Sequence, residues 1–253
     1  MKRVRVLLVV LGAVVMFAAG VLTNGLLFPP EPTVVPLPPE PPSRRLNDPE
    51  VIARYIATHP VRKLQLGAGP HNPEGWLNTD IEPRDDQVYL DATARFPLPD
   101  ATFHYVFAEQ LIEHLEWQGA LTMLEEAHRV LVPGGRIRLA TPNLLRLLDL
   151  YAKDKTPIQN ELMEFQINLY KLPRAALPEC ATLNLFFRAW GHTFLYDPVS
   201  LRMTLEEAGF REVEQLELGK SNDPALHDLD MHHKFGGRAL DEYTSMFFEA
   251  KKP

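Results

Sequence analysis

Residues 103–143 read FHYVFAEQLIEHLEWQGALTMLEEAHRVLVPGGRIRLATPN, and this stretch decides the fold. Phe103 to Ala108 is a short run of apolar and aromatic residues, the pattern of a buried strand. From Trp117 to Val130 the apolar residues recur at helical spacing, with Leu121, Leu124, Ala127 and Val130 on one stripe. Pro133-Gly134-Gly135 reads as a turn, and Arg136 to Ala140 as a second strand. Strand, helix and strand in that order make a βαβ unit, which implies parallel pairing in a sheet covered on both faces.

The pattern continues in both directions. Upstream, Asp48 to Thr58 is an amphipathic helix. Lys63 to Leu66 is a strand that runs into Gly67-Ala68-Gly69-Pro70, Trp76 to Ile81 is a second strand, and Gln87 to Leu90 a third. Downstream, Pro198 to Ala208 is a helix stopped by Gly209. Val213 to Leu218 and Thr244 to Glu249 supply the last two strands. The stretch from Leu144 to Trp190 fits no sheet element and reads as a helical insertion after strand five.

Chemistry gathers at the strand ends. A strand entering Gly67-Ala68-Gly69 lets backbone approach a ligand, because glycine lacks Cβ and tolerates positive φ. Asp80 follows on the next strand, where a carboxylate can take both hydroxyls of a ribose. Asp91 follows the third strand, where an acceptor can meet an adenine amino group. Together they line one crevice at the carboxyl edge of the sheet. The third glycine of a dinucleotide fingerprint would fall at Asn72, and its absence weakens a nicotinamide-dependent oxidoreductase.

Glu113-His114-Leu115, Leu124, Glu126, Arg129-Val130-Leu131, Pro133-Gly134-Gly135 and Pro142-Asn143 stand in an order that resembles the class I S-adenosylmethionine (SAM)-dependent methyltransferases, in the methyltransferase type 11-like branch. Gly191-His192, Tyr196-Asp197 and Leu201 to Gly209-Phe210 extend the resemblance, which spans roughly residues 61–218. It implies a Rossmann-like α/β sheet, mainly parallel with an antiparallel last strand. The cofactor implied is S-adenosyl-L-methionine. Gly67, Ala68 and Gly69 would pack on its methionine part, Asp80 would hold the ribose, Asp91 and Ala92 would face the adenine, and Glu109 would sit near the sulfonium. Arg129, Pro133 and Gly134 look structural. Ten residues separate Gly69 from Asp80, too few for a helix plus a strand, so the usual first helix is very short or missing. A subgroup often found beside cell-surface glycan genes looks similar in this respect.

Methyl transfer from a sulfonium is an in-line displacement governed by positioning, with a base only where the acceptor needs one. His114 is the candidate base, with a helix-start histidine bonded to backbone as the other reading; His192, at the end of the insertion, can face the acceptor pocket, and Asn143 can orient an acceptor. Asp228, Asp230, His232 and His233 have spacing that can bind a metal, but a solvated loop is the expectation and no metal is assigned. Tyr170, Phe186, Phe187 and Trp190 read as insertion core, with one or two able to stack on a sugar or aromatic acceptor.

The N-terminal segments bear on location. Lys2, Arg3 and Arg5 precede an apolar run from Val6 to Phe28. Such a run spans roughly 35 Å as a helix, enough to cross a bilayer. Residues 1–28 are therefore expected to be a single-pass anchor, with cleavage near Ala18-Ala19-Gly20 as the alternative. Residues 29–43 form a Pro-rich linker, read as an extended spacer, with an SH3-type ligand as the other reading. Residues 44–253 are the catalytic domain, with 144–192 as its inserted cap. The positive-inside rule puts the N-terminus in the cytosol and the domain outside, whereas SAM is made in the cytosol. A net charge of -7 over 253 residues makes nucleic acid a poor partner. The single cysteine, Cys180, excludes an internal disulfide. The expected function is O-methylation of a small or glycan-like acceptor. The alternative is a non-catalytic, membrane-tethered binding or scaffold module.

Overall fold

A computed structural model describes residues 48–84, 86–171 and 178–253. The described residues all fall in one compact unit, within Pro42–Pro253. The expected anchor at 1–28 and the linker at 29–43 lie outside the described residues. Among the described residues no helix is long and apolar enough to cross a membrane.

Among the described residues seven strands form one sheet: β1 (Lys63–Leu66), β2 (Leu77–Asp80), β3 (Val88–Tyr89), β4 (Phe103–Glu109), β5 (Leu131–Pro142), β6 (Arg211–Leu216) and β7 (Ser245–Lys251). Their order across the sheet is β3-β2-β1-β4-β5-β7-β6. The first five pair in parallel, and β7 runs antiparallel to both β5 and β6. The expected mainly parallel sheet with an antiparallel last strand is what forms. The order reverses between β1 and β4, and ligands of open α/β sheets bind outside the strand ends at such a point.

Helix α1 (Asp48–Thr58) precedes the sheet, and α2 (Trp117–Val130) joins β4 to β5. Leu121, Leu124, Ala127 and Val130 of α2 are all buried, as the stripe predicts. They pack with Val106 and Ala108 of β4, Ile137 and Leu139 of β5, and Met246, Phe248 and Ala250 of β7. This alternation is the period-two signature of a strand with distinct faces. The insertion consists of α3 (Leu144–Leu148), α4 (Pro157–Tyr170) and α5 (Pro178–Arg188). Its smaller core, built on Leu147, Leu150, Leu162, Met163 and Phe186, is shared with Leu195 and Leu240 from the segments that follow. Helix α6 (Pro198–Glu207) follows, started by an Asp197 cap on the Ser200 N–H at 2.7 Å. Short helices α7 (His233–Gly236) and α8 (Arg238–Thr244) lead into β7.

The structure departs from the sequence reading at Pro133-Gly134-Gly135. These residues are not a turn ahead of the strand but a bulge within β5, which already pairs with β4 at Leu131↔Phe103 before pairing again at Arg136↔Tyr105. Gly134 takes φ 80°, and a Cβ on Gly135 would fall 2.9 Å from the Val132 carbonyl oxygen. Both positions therefore demand glycine. Arg129 holds the approach to this bulge, donating to the carbonyls of Leu98 (2.9 Å) and Phe96 (3.2 Å) and to Glu126 (2.8 Å), which fits a structural role.

Residues 67–76 join β1 to β2 without a helix, as the short spacing predicts. Tyr105 and Phe107 of β4 point to that face of the sheet. Trp76, Leu226 and Leu229 cover them, and the Tyr105 hydroxyl donates to Asp223 at 2.9 Å. The segment after β6 thus shields a face that a crossover helix would otherwise cover. It is pinned by Arg138, fully buried in β5, which donates to Asp230 (2.9 Å), Glu249 (2.7 Å) and the Lys220 carbonyl (2.9 Å).

Candidate active site

Gly67 and Gly69 follow β1 with φ of 61° and 52°, a left-handed geometry that only glycine adopts cheaply. A Cβ on Gly67 would lie 2.8 Å from Leu111 Cδ1, so the glycine turn touches the loop that follows β4. A Cβ on Gly69 would meet nothing within 4 Å, so this backbone is open to a ligand. Ala68 continues the strand pairing, its N–H donating to the Thr79 carbonyl at 2.9 Å.

Asp80 is tied directly to this turn. Its Oδ2 accepts the Gly69 N–H at 2.8 Å and its Oδ1 the Glu82 N–H at 2.8 Å. Each oxygen keeps a further lone pair for an outside donor. Gln87, which sequence reasoning passed over, braces the same turn. It is buried and donates to the Gly69 carbonyl (2.7 Å) and to Asn72 Oδ1 (2.8 Å). Its only signal in the sequence is a polar residue opening an apolar strand. Asp91 accepts from the Thr93 N–H (2.8 Å) and hydroxyl (2.7 Å), a local turn, and Ala92 packs into the main core.

Glu109 ends β4 on the other side of the switch point. Its Oε1 accepts the N–H groups of Met231 (2.7 Å) and His232 (2.8 Å), and its Oε2 lies 4.0 Å from His71 Nδ1. Burial pushes its carboxyl up to about 7, against the backbone N–H groups of His232 and Met231. Burial lowers the neighbouring His71.

His114 and His192 come together. Their rings meet edge to face with centroids 4.9 Å apart, although 77 positions lie between them in the chain. His192 Nδ1 sits 2.7 Å from the Phe186 carbonyl, which makes that nitrogen the N–H donor and leaves Nε2 as the acceptor. Burial lowers both histidines, so the neutral imidazole is favoured in each. Glu113 beside them is fully buried. Its Oε2 accepts the Thr141 hydroxyl at 2.9 Å, and burial pushes its carboxyl up to about 7. Its backbone carbonyl accepts the N–H groups of Thr193 (2.8 Å) and Phe194 (3.1 Å), which binds the His192 segment to the 112–114 turn after β4. Sequence reasoning used Glu113 only as part of a motif.

Asn143 is placed otherwise. It is buried, and its Oδ1 caps α3 by accepting the Leu145 N–H at 3.1 Å. The 228–233 cluster is not a uniformly solvated loop. Asp228 is exposed, but Asp230 is 2% exposed because the Arg138 guanidinium needs a buried counter-ion. Burial pulls His232 down, but its 3.0 Å contact with Asp241, backed by Glu109 and Glu113, raises it above the ordinary imidazole value. Among the aromatic residues, Phe186 is core and Tyr170, Phe187 and Trp190 are exposed. Trp190 is 46% exposed, stands 5.3 Å from the His192 ring and takes φ 59°, a strained position for tryptophan.

Residues 76–139 match a family model described as a methyltransferase domain. The matched span runs from the residue before β2 into β5 and contains Asp80, Asp91, Glu109, Glu113 and His114. No curated protein matches the sequence. Similar solved structures include a SAM-dependent methyltransferase from Archaeoglobus fulgidus, 20% identical, covering 83% of this chain and 95% of that one at a TM-score of 0.44. Another, from Thermotoga maritima, is 15% identical with 83% and 90% covered at 0.43. Phosphoethanolamine N-methyltransferase 2 of Haemonchus contortus, in complex with S-adenosyl-L-methionine, is 14% identical with 82% and 52% covered at 0.41. The match over residues 76–139 supports a methyltransferase domain.

Proposed function

We propose that this chain is a membrane-tethered SAM-dependent methyltransferase that O-methylates a small or glycan-like acceptor. The observation that carries the reading is the bond from the Gly69 N–H to the Asp80 carboxylate at the switch point of the sheet. It sets an open glycine turn beside an acid with lone pairs to spare, and these residues fit the cofactor. Gly67, Ala68 and Gly69 would lie along its methionine part, Asp80 would take the ribose hydroxyls, and Asp91 with Ala92 would mark the adenine end. Glu109, poorly solvated and at the end of β4, would be held ionised by a neighbouring sulfonium, since a nearby positive charge favours the carboxylate. The bound cofactor supplies an electrophilic methyl group.

The acceptor side would be the His114–His192 pair with Trp190. A neutral imidazole within reach of an acceptor hydroxyl can take its proton. The exposed indole offers a face on which a sugar ring can stack. Asn143, held as a cap, would act by fixing the start of the insertion. Residues 1–28 would anchor the protein with the N-terminus in the cytosol, and a phosphatase reporter fused to the C-terminus tests on which side the domain lies.

The direct test is calorimetric titration of SAM and S-adenosylhomocysteine into the purified full chain. Binding in the micromolar range is expected for both. A folded protein that binds neither would overturn the enzyme reading and favour the scaffold module. That alternative draws on one observation, the Met231 and His232 N–H groups already seated on Glu109.

A further inference from the structure

We infer that Glu113, His114 and His192 form a binding site for a divalent transition-metal cation. Each residue offers one ligand atom, and the three atoms lie within 4.8 Å of one another. Ligands about 2.1 Å from a tetrahedral cation stand roughly 3.4 Å apart, so rotamer adjustments of about an ångström close the set.

Two further observations point to a ligand rather than to chance proximity. The first is Glu113. Its side chain is 0% exposed, Oε2 is satisfied by Thr141, and Oε1 has no hydrogen-bond partner. A buried carboxylate oxygen left without a partner is costly, and a cation held with two imidazoles removes that cost. The second is the way His192 is held. Metal-bound histidines commonly donate their other ring N–H to a carbonyl or carboxylate, which fixes tautomer and direction. The Phe186 carbonyl at His192 Nδ1 has that arrangement and leaves Nε2 as the ligand atom.

The ligand-bearing segments are also fixed to one another. The Glu113 carbonyl takes the N–H groups of Thr193 and Phe194, so the residues after His192 are tied to the 112–114 turn that carries Glu113 and His114. Two imidazoles and one carboxylate suit zinc, cobalt or iron(II) better than magnesium or calcium, which prefer all-oxygen sets. Three protein ligands leave one position open, as in catalytic zinc sites. With the cation bound the two imidazoles are ligands and no longer bases, and the use of the open position for an acceptor oxygen rests on the methyltransferase reading. The cation site itself does not.

The test is titration of cobalt(II) into the chelator-treated full chain, followed by visible absorption, with zinc(II) added afterwards. One cobalt per chain is expected, with the bands bleached by zinc. Glu113→Gln keeps shape and an oxygen for Thr141, and should weaken cobalt at least ten-fold. His192→Ala, at a half-buried position, should do the same if Glu113→Gln fails to fold. Wild-type protein with a normal thermal transition and no cobalt bands would overturn the site, as would unchanged bands in folded His192→Ala. SAM titration of the same metal-free samples separates the two readings: cobalt binding without SAM binding sinks the enzyme and leaves the cation site.

Discussion

Asp230→Ala is the perturbation with the largest calculable effect. Arg138 is 0% exposed and meets two carboxylates, Asp230 and Glu249, each buried to within 2%. Truncating Asp230 strips the guanidinium of its bidentate partner and also removes the acceptor of the Gly219 N–H at 2.8 Å. Breaking one side of a buried ion pair costs about 3–5 kcal/mol. With a urea slope of about 2 kcal/mol per molar, the unfolding midpoint should fall by roughly 2 M. The assay is urea denaturation followed by tryptophan fluorescence and far-UV dichroism together, to confirm a single transition. The triple variant Arg138→Met, Asp230→Leu, Glu249→Leu removes all three charges, and should recover most of the loss because desolvation no longer opposes folding. A loss below about 1 kcal/mol in Asp230→Ala would refute the reasoning, since it would mean that water reaches Arg138.

Glu109 supplies a pH signature. Its folded value of about 7 exceeds the ordinary 4.5, so the folded state holds the extra proton between these limits. Its contribution to stability is complete below about pH 4.5 and is lost as pH rises through 7. Glu109→Gln should therefore raise the melting temperature at pH 8 and change it little at pH 4.5; equal shifts at both would exclude the titration. Asp80→Asn should weaken SAM by ten- to a hundred-fold in calorimetry, the range of one charge-assisted hydrogen bond, with the fold retained. Gly135→Ala should lower stability by about 2 kcal/mol or more, because the new Cβ meets backbone at 2.9 Å, while the folded fraction binds SAM normally.

The parts of the fold legible in the sequence are those set by local pattern. The α2 stripe, the strand into Gly67, and the helix-free connection to Asp80 all rest on short-range spacing, and the structure reproduces each. The insertion reads as helical by a different route, because residues 144–190 fit no sheet element. What could not be read depends on partners far apart in the chain. Arg138 looks like an exposed charge in an alternating strand until Asp230, from another segment, closes over it. The bulge at Gly134 requires the Lys252 carbonyl, which accepts its N–H at 2.9 Å. In the site, the acids at strand ends were visible because topology places such residues at one edge. Gln87 and Glu113 were not singled out, because their roles rest on burial and unpaired oxygens, which sequence spacing does not report.

The position of β7 between β5 and β6 has a consequence for how this protein is made. During synthesis β6 emerges before the strand that it pairs with, and until β7 arrives both β5 and β6 present open edges. Open edges recruit other chains, so this interval is when the nascent protein is most exposed to aggregation. Pairing of β7 covers the free edge of β5 and one edge of β6 together, and the same strand brings Glu249 to Arg138 beside the Asp230 carboxylate.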